Sequence, residues 1–170
     1  MQTIPFLTDN SLLPKPAEPE RALRELDMWR QEAGARAETE PELAQFMYDI
    51  AAREEGQTFL TAIFGNSPFL SQALRNHPIV LCNALYKGFD KTFEEQLLAA
   101  ANTRIWRGSK AEVMSGLRTA KRGIALTIAM ADIAGVWSLE KVCEGLSRFA
   151  EVSISIALNF LLHQIGQSGH

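Results

Sequence analysis

Cysteine is scarce in this 170-residue chain. Cys82 and Cys143 stand alone and far apart, with no CxxC pair and no Cys/His spacing that could present four ligands to zinc. Both read as small buried hydrophobes in a reducing compartment. No secretory leader is expected, because Met1 to Asn10 lacks a basic start and a long apolar run. The most apolar stretch, Ile154 to Leu162, is broken by Ser155 and Asn159. It falls short of the ~20 residues that cross a bilayer. The expectation is a soluble, cytoplasmic protein with no membrane partner.

Charge of one sign is also missing. Seventeen Lys and Arg against 20 Asp and Glu leave a net charge of −3. That argues against nucleic-acid binding through overall charge. Catalytic signatures are absent too. There is no GxGxxG after a strand and no GxSxG elbow, and Arg107-Gly108-Ser109-Lys110 lacks the glycine spacing of a P-loop. His77, His163 and His170 are not spaced for a metal, and His163 reads as a flanking surface residue on a long helix. No dense Asp/Glu cluster sits on a strand. Taken residue by residue, the chain is a helical module with no catalytic residue, no metal ligand and no cofactor of its own.

What is present favours helix. Apolar residues make up 46%, charged residues 22% and aromatics only 8%. Ala, Leu, Glu, Arg and Gln are plentiful. A chain of this size buries roughly 70% of its unfolded surface in one core. Residues 1–17, with Pro5, Pro14 and Pro16, read as an extended lead-in. Residues 18–166 read as one helical domain, and 167–170 as a tail.

Within that domain, Glu18 to Ala33 carries Ala22, Leu26, Trp29 and Ala33 on one stripe, with Gly34 as a stop. Thr39 and Glu42 form a capping-box signature around Pro41. The helix they open buries Leu43, Phe46, Met47, Ile50 and Ala51. A short helix from Thr58 to Phe64 ends at Gly65. Ser67 caps the next, Pro78 restarts the chain, and Gly88 stops it. Asp90 or Thr92 then opens a helix with Phe93, Leu97, Leu98 and Ala101 inward.

Two long helices follow. The first is capped by Ser109 and Glu112 and aligns Val113, Leu117, Ala120, Ile124 and Ile128. It is enclosed around Ala125 to Ala134 and ends at Gly135. The second is capped by Ser138 and runs about seven turns to Gly166. Its buried stripe includes Leu139, Val142, Cys143, Leu146, Phe149, Ile154, Leu158, Leu161 and Ile165. The predicted architecture is all-α: a multi-helix bundle with short N-terminal helices, two long C-terminal helices and no sheet.

Three features hold functional interest. In Phe64-Gly65-Asn66-Ser67-Pro68-Phe69-Leu70, Gly65 can leave a helix with positive φ and Ser67 can cap. Pro68 suits a first turn, and Phe69 and Leu70 enter the core. This corner reads either as a sharp structural turn or as polar backbone that meets a ligand or partner. Between Arg104 and Gly123 six Lys or Arg face one Glu. Arg118 and Arg122 lie opposite the core stripe, as a solvated face or an anion-facing patch. An acidic partner exists in cis, since Glu18 to Glu55 holds eleven acids against five Arg. Asp132 sits near a helix C-terminus amid apolar residues, where the dipole disfavours a carboxylate. A buried carboxylate there requires a donor or cation.

The corner and the later helices, in this order, resemble one family. Gly65-Asn66-Ser67-Pro68-Phe69-Leu70 with His77-Pro78 is similar to the "GNSPFL…HP" start of the bifunctional glutamine synthetase adenylyltransferase/adenylyl-removing enzymes. Arg118…Lys121-Arg122, then Ile128-Ala129…Asp132-Ile133-Ala134-Gly135, resembles their basic helix and its "IA…D-aliphatic-x-G" end. Leu146-Ser147…Ala150…Ala157-Leu158 resembles the "LS…A…AL" helix after it. The resemblance runs from Phe64 to Leu162.

It implies transfer of AMP from ATP onto a tyrosine of glutamine synthetase and its removal by phosphorolysis. It also implies control by the PII signalling protein and glutamine, and magnesium held by a "GSD-x-D" motif. This sequence contains no such motif. The resemblance therefore implies the N-terminal helical segment of a longer enzyme, a non-catalytic scaffold for the adenylyl-removing domain. Gly65, Asn66, Ser67, Pro68, Arg118, Arg122 and Asp132 carry over as motif residues with scaffold or site-facing roles. A stand-alone helical interaction module is the alternative. Self-association through an uncovered apolar surface is a further expectation.

Overall fold

A computed structural model describes residues 13–102 and 105–168. Readings that fall on residues 1–12, on Arg104 and on His170 lie outside the described residues. The elements are α1 (Pro19–Arg36), α2 (Pro41–Ala52), α3 (Glu54–Phe64), α4 (Pro68–Asn76), α5 (Pro78–Lys87) and α6 (Phe89–Asn102). A 3-10 turn (Ile105–Arg107), α7 (Lys110–Ile133) and α8 (Leu139–Ser168) complete the fold. No strand occurs among the described residues. The architecture is the predicted all-α bundle, with α7 and α8 at 24 and 30 residues as its long members.

Proline sets many of the starts. α1, α2, α4 and α5 each open with Pro in the first turn, where its fixed φ suits the helix and its missing N–H costs nothing. α7 opens on the predicted capping box: Glu112 N–H donates to Ser109 Oγ at 3.3 Å, and Ser109 N–H donates to Glu112 Oε2 at 2.7 Å. At the far end Gly135 takes φ +64 and ends α7 as expected.

Other punctuation differs from the sequence reading. Gly34 does not stop α1. It lies inside the helix with Tyr48 Oη 3.0 Å from the position its Cβ would take, so it makes room for α2. No capping box forms at Thr39. The tight turn that bonds Thr39 and Glu40 N–H to Arg36 C=O makes Glu40 the residue before α2. α6 opens at Phe89, and this buried ring shifts the stripe to Phe89, Phe93, Leu97 and Ala100, leaving Leu98 and Ala101 exposed.

α1, α2 and α3 pack on one another, α6, α7 and α8 form a second group, and the packing of α5 on α6 and of α7 on α3, α4 and α5 joins them. One core runs through both groups. Trp29 is fully buried, its ring 6.2 Å from that of Phe64, and its Nε1–H donates to Met47 C=O at 2.9 Å. The buried run from Ile124 to Ala131 shows the expected enclosure of α7.

α8 departs most from expectation. It packs against α6, α7 and the 3-10 turn, and its inward line is Gly145, Phe149, Val152 and Ile156. Leu139, Leu146, Ile154, Leu158, Leu161 and Ile165, all predicted as core, are 51–71% exposed. Cys143 is exposed too, and Cys82 is half-buried. The helix continues through Gly166 to Ser168. By length and composition Leu139–Gln167 is long and apolar enough to cross a membrane, with a mean hydropathy of 1.3 in its most apolar window.

Candidate functional site

The Gly65–Pro68 corner is a clamp on the incoming chain. Asn66 Oδ1 accepts the Ala17 N–H at 3.0 Å, and Asn66 Nδ2 donates to Lys15 C=O at 3.0 Å and Ala62 C=O at 2.9 Å. Gly65 C=O accepts the Glu18 N–H at 3.1 Å. One carboxamide therefore satisfies a backbone donor and two acceptors where the extended segment meets α3. Gly65 has φ −81, so positive φ is not why glycine stands there. The reason is proximity: a Cβ would lie 2.3 Å from Pro16 Cβ. Ser67 Oγ caps α4 by accepting Leu70 N–H at 3.2 Å. Pro68 is the first residue of α4. Phe69 does not enter the core but is 59% exposed, while Leu70 packs partly against it.

Arg118, Arg122 and Asp132 occupy one strip of α7. Spacings of four, three, four and three residues (Arg118, Arg122, Ala125, Ala129, Asp132) follow the helical period. All three charged side chains are exposed. The strip is roughly 20 Å long at ~1.5 Å per residue. Asp132 is therefore not a buried carboxylate awaiting a cation. The inward positions near it are Ile128, Met130 and Ala131, and Asp132 itself is exposed. Its carbonyl accepts the Gly135 N–H at 2.9 Å.

Among the described residues no ion pair joins the acidic stretch to the basic face, and Asp27, Glu25 and Glu32 are paired within α1 or between α1 and α4. Arg75, 14% exposed, lies 2.8 Å from Glu25 Oε2 and 2.5 Å from Glu32 Oε1. Arg36 donates to Arg75 C=O at 3.3 Å. Two glutamates on α1 and one arginine on α4 thus pin the corner's downstream helix to the first helix.

Sequence reasoning missed a second polar cluster, where α6 meets α8. Arg148 Nη1 and Nη2 both donate to the Glu94 carboxylate, and the guanidinium lies 5.3 Å from the Phe93 ring centre. Lys141 Nζ lies 2.6 Å from Asp90 Oδ1, which also accepts Trp137 Nε1–H at 2.7 Å. Arg148 holds the Glu94 carboxyl below its usual range, and Lys141 does the same to Asp90 with help from Trp137. The partners are 47 to 54 residues apart, so no local pattern announces them.

Among the described residues no group of three or more His, Cys, Asp or Glu side chains could hold a metal ion. The residues described here do not fit the magnesium that the resemblance implies for the whole enzyme. An open groove of about 940 Å³ between α2 and α5 has Phe46, Ile79 and Tyr86 among its walls, with Glu42 and Asp49. Burial pushes the thiol pKa of Cys82, another of its walls, upward.

The sequence that builds this corner and these helices is shared with known proteins. The bifunctional glutamine synthetase adenylyltransferase/adenylyl-removing enzyme of Rhizobium meliloti (strain 1021) is 35% identical over 127 residues, 71% of this chain and 13% of that protein. The enzyme of the same name from Rhodopseudomonas palustris (strain ATCC BAA-98 / CGA009) is 35% identical over 134 residues, 78% of this chain and 13% of that protein. That from Bradyrhizobium sp. (strain ORS 278) is 34% identical over 134 residues, 78% of this chain and 14% of that protein. The aligned part of the chain thus spans about an eighth of the length of these relatives. No solved structure matches it significantly. The family model for glutamate-ammonia ligase adenylyltransferase matches residues 57–170, from α3 through α8 and including every motif residue named above. On that match the chain belongs to the glutamate-ammonia ligase adenylyltransferase family.

Proposed function

We propose that this chain serves as a non-catalytic helical segment of an enzyme that adenylylates and deadenylylates glutamine synthetase, and that it supports the adenylyl-removing part. The observation that carries this reading is the Asn66 clamp. The most distinctive motif side chain in the matched region spends its hydrogen bonds on Lys15, Ala17 and Ala62, which is scaffold work. Ser67 likewise caps α4. The exposed strip of Arg118, Arg122 and Asp132 is the site-facing part, turned toward other portions of such an enzyme. Magnesium, ATP and control by the PII protein belong to those portions. The compartment is the cytoplasm, where glutamine synthetase is met.

A replacement experiment tests this reading. The R. meliloti enzyme is cut back by the region that matches this chain and assayed for phosphate-dependent AMP release from adenylylated glutamine synthetase. The expected outcome is loss of release, restored when this chain is fused in that place, with none from this chain alone. Release by the chain alone, or full activity of the trimmed enzyme, overturns the reading.

A further inference from the structure

α8 has three faces. Taken at about 100° per residue from Ile156, Gly145, Phe149 and Val152 fall on the packed side. Glu140, Glu144, Arg148 and Glu151 fall on one flank. Leu146, Ala150, Ile154, Ala157, Leu161 and Ile165 fall on the other, with spacings of four, four, three, four and four. That spacing averages about 3.8 residues, so the stripe winds by about 100° around the helix over its length. It is roughly 28 Å long. Leu146, Ile154, Leu161 and Ile165 are 51–69% exposed. From Val152 to Ser168 there is no Asp, Glu, Lys or Arg. Contiguous bare apolar surface of this extent marks a contact.

We propose that this face of α8 is a docking surface for polypeptide of the same enzyme lying outside these 170 residues. The proposal rests on the preceding reading that the chain is a segment of such an enzyme. Relatives in which the matched part is 13% of the length hold ample polypeptide to cover it, and the family match spans α8 throughout. Charge selects among occupants. Glu151 borders the stripe, with Glu140 and Glu144 farther around the same helix, while the cations of α8, Lys141 and Arg148, are engaged by Asp90 and Glu94. A second copy of α8 therefore brings no free cation to those glutamates. The occupant is an apolar surface edged with Lys or Arg. A lipid bilayer fits poorly, because the opposite side of α8 is packed on α6 and α7.

Cys143 is exposed beside this stripe and reports on its cover. Thiol labelling of Cys143 is measured in a Cys82→Ser background, in the free chain and in the chain fused to the rest of the R. meliloti enzyme. Other cysteines of the fusion are replaced. Labelling in the fusion is expected to be at least roughly ten-fold slower, the protection of a face that must open to react. Ile154→Asp and Leu161→Asp, both surface changes, are each expected to restore the free rate. Should the fusion fold poorly, the same protection is sought by adding the trimmed enzyme to the free chain in trans.

Equal labelling in both settings overturns the proposal. So does protection of the free chain that grows with its own concentration, which marks a second copy. Protection by phosphatidylcholine vesicles, which marks a membrane, overturns it as well. AMP release is assayed on the same fusion. Protection without restored release refutes the functional reading and leaves the docking standing. Release without protection does the reverse.

Discussion

Asn66 and Ala17 are 49 residues apart in the chain, yet the Asn66 carboxamide oxygen accepts the Ala17 backbone N–H at 3.0 Å. The same side chain donates to Lys15 and Ala62. A single residue at the exit of α3 thus fixes where the extended segment enters the bundle, and with it the start of α1.

Asn66→Ala removes those bonds and leaves the Lys15 and Ala17 backbone groups to water. Because the site is largely exposed, the cost is about 1 kcal/mol, a fall of several degrees in Tm. Amide hydrogen exchange reads the local effect: the Ala17 N–H, held by Asn66 Oδ1, exchanges faster by more than global unfolding accounts for. Equal rates for the variant and the wild type show that Asn66 does not hold this segment.

Gly65→Ala places a methyl group where Pro16 already stands, with Cβ atoms 2.3 Å apart. Overpacking of that kind costs about 1–3 kcal/mol. Pro16→Gly removes the opposing Cβ, so the double variant should be more stable than the sum of its parts predicts. Thermal melts of the four proteins in this cycle check the coupling. Simple additivity refutes the contact.

Trp29→Phe keeps most of the buried ring and deletes the donor to Met47 C=O. Because that carbonyl keeps its helical partner within α2, the loss is that of one net hydrogen bond, about 0.5–1.5 kcal/mol. Urea unfolding should show a lower midpoint with an unchanged slope. No shift would mean that the indole N–H contributes nothing.

The α6–α8 cluster sets a pH dependence. Glu94 and Asp90 have folded pKa values held below their unfolded ones by Arg148 and Lys141. The folded form therefore binds fewer protons than the unfolded one across this range. The stability these pairs supply is present above the ordinary carboxylate range near pH ~4 and is lost as pH falls through the depressed values. Glu94→Gln should flatten the acid limb of a Tm–pH curve by an amount near that of a partly exposed ion pair, about 0.2–1 kcal/mol. An acid limb identical to wild type contradicts the pairing.

Asp132→Ala should leave stability within about 0.5 kcal/mol of wild type. The side chain is exposed and sits at the negative end of α7, so its removal if anything relieves the dipole. A loss of several degrees in Tm would restore the buried-carboxylate expectation that the structure has replaced.

The all-α class, the two long C-terminal helices and the local starts were legible in the sequence. Ser67 with Pro68 and Ser109 with Glu112 are chemistry completed within four residues, and the Leu26, Trp29 and Ala33 stripe is a period of one helix. What stayed hidden depends on which neighbours a helix meets. A 3.6-residue pattern says that α8 has apolar faces. It cannot say which face is covered when the helix has two, and α6 and α7 cover only the line through Gly145 and Ile156. Glycine is ambiguous for a similar reason. Gly34 and Gly65 read as stops or turns, while their packing shows that Tyr48 and Pro16 need the space. The ion pairs of Glu94 with Arg148 and Asp90 with Lys141, and the clamp from Asn66 to Ala17, join residues that only the tertiary fold brings together. Local bonding and periodicity determined the elements, and three-dimensional proximity decided which side chains hold them in place and which apolar face remains bare.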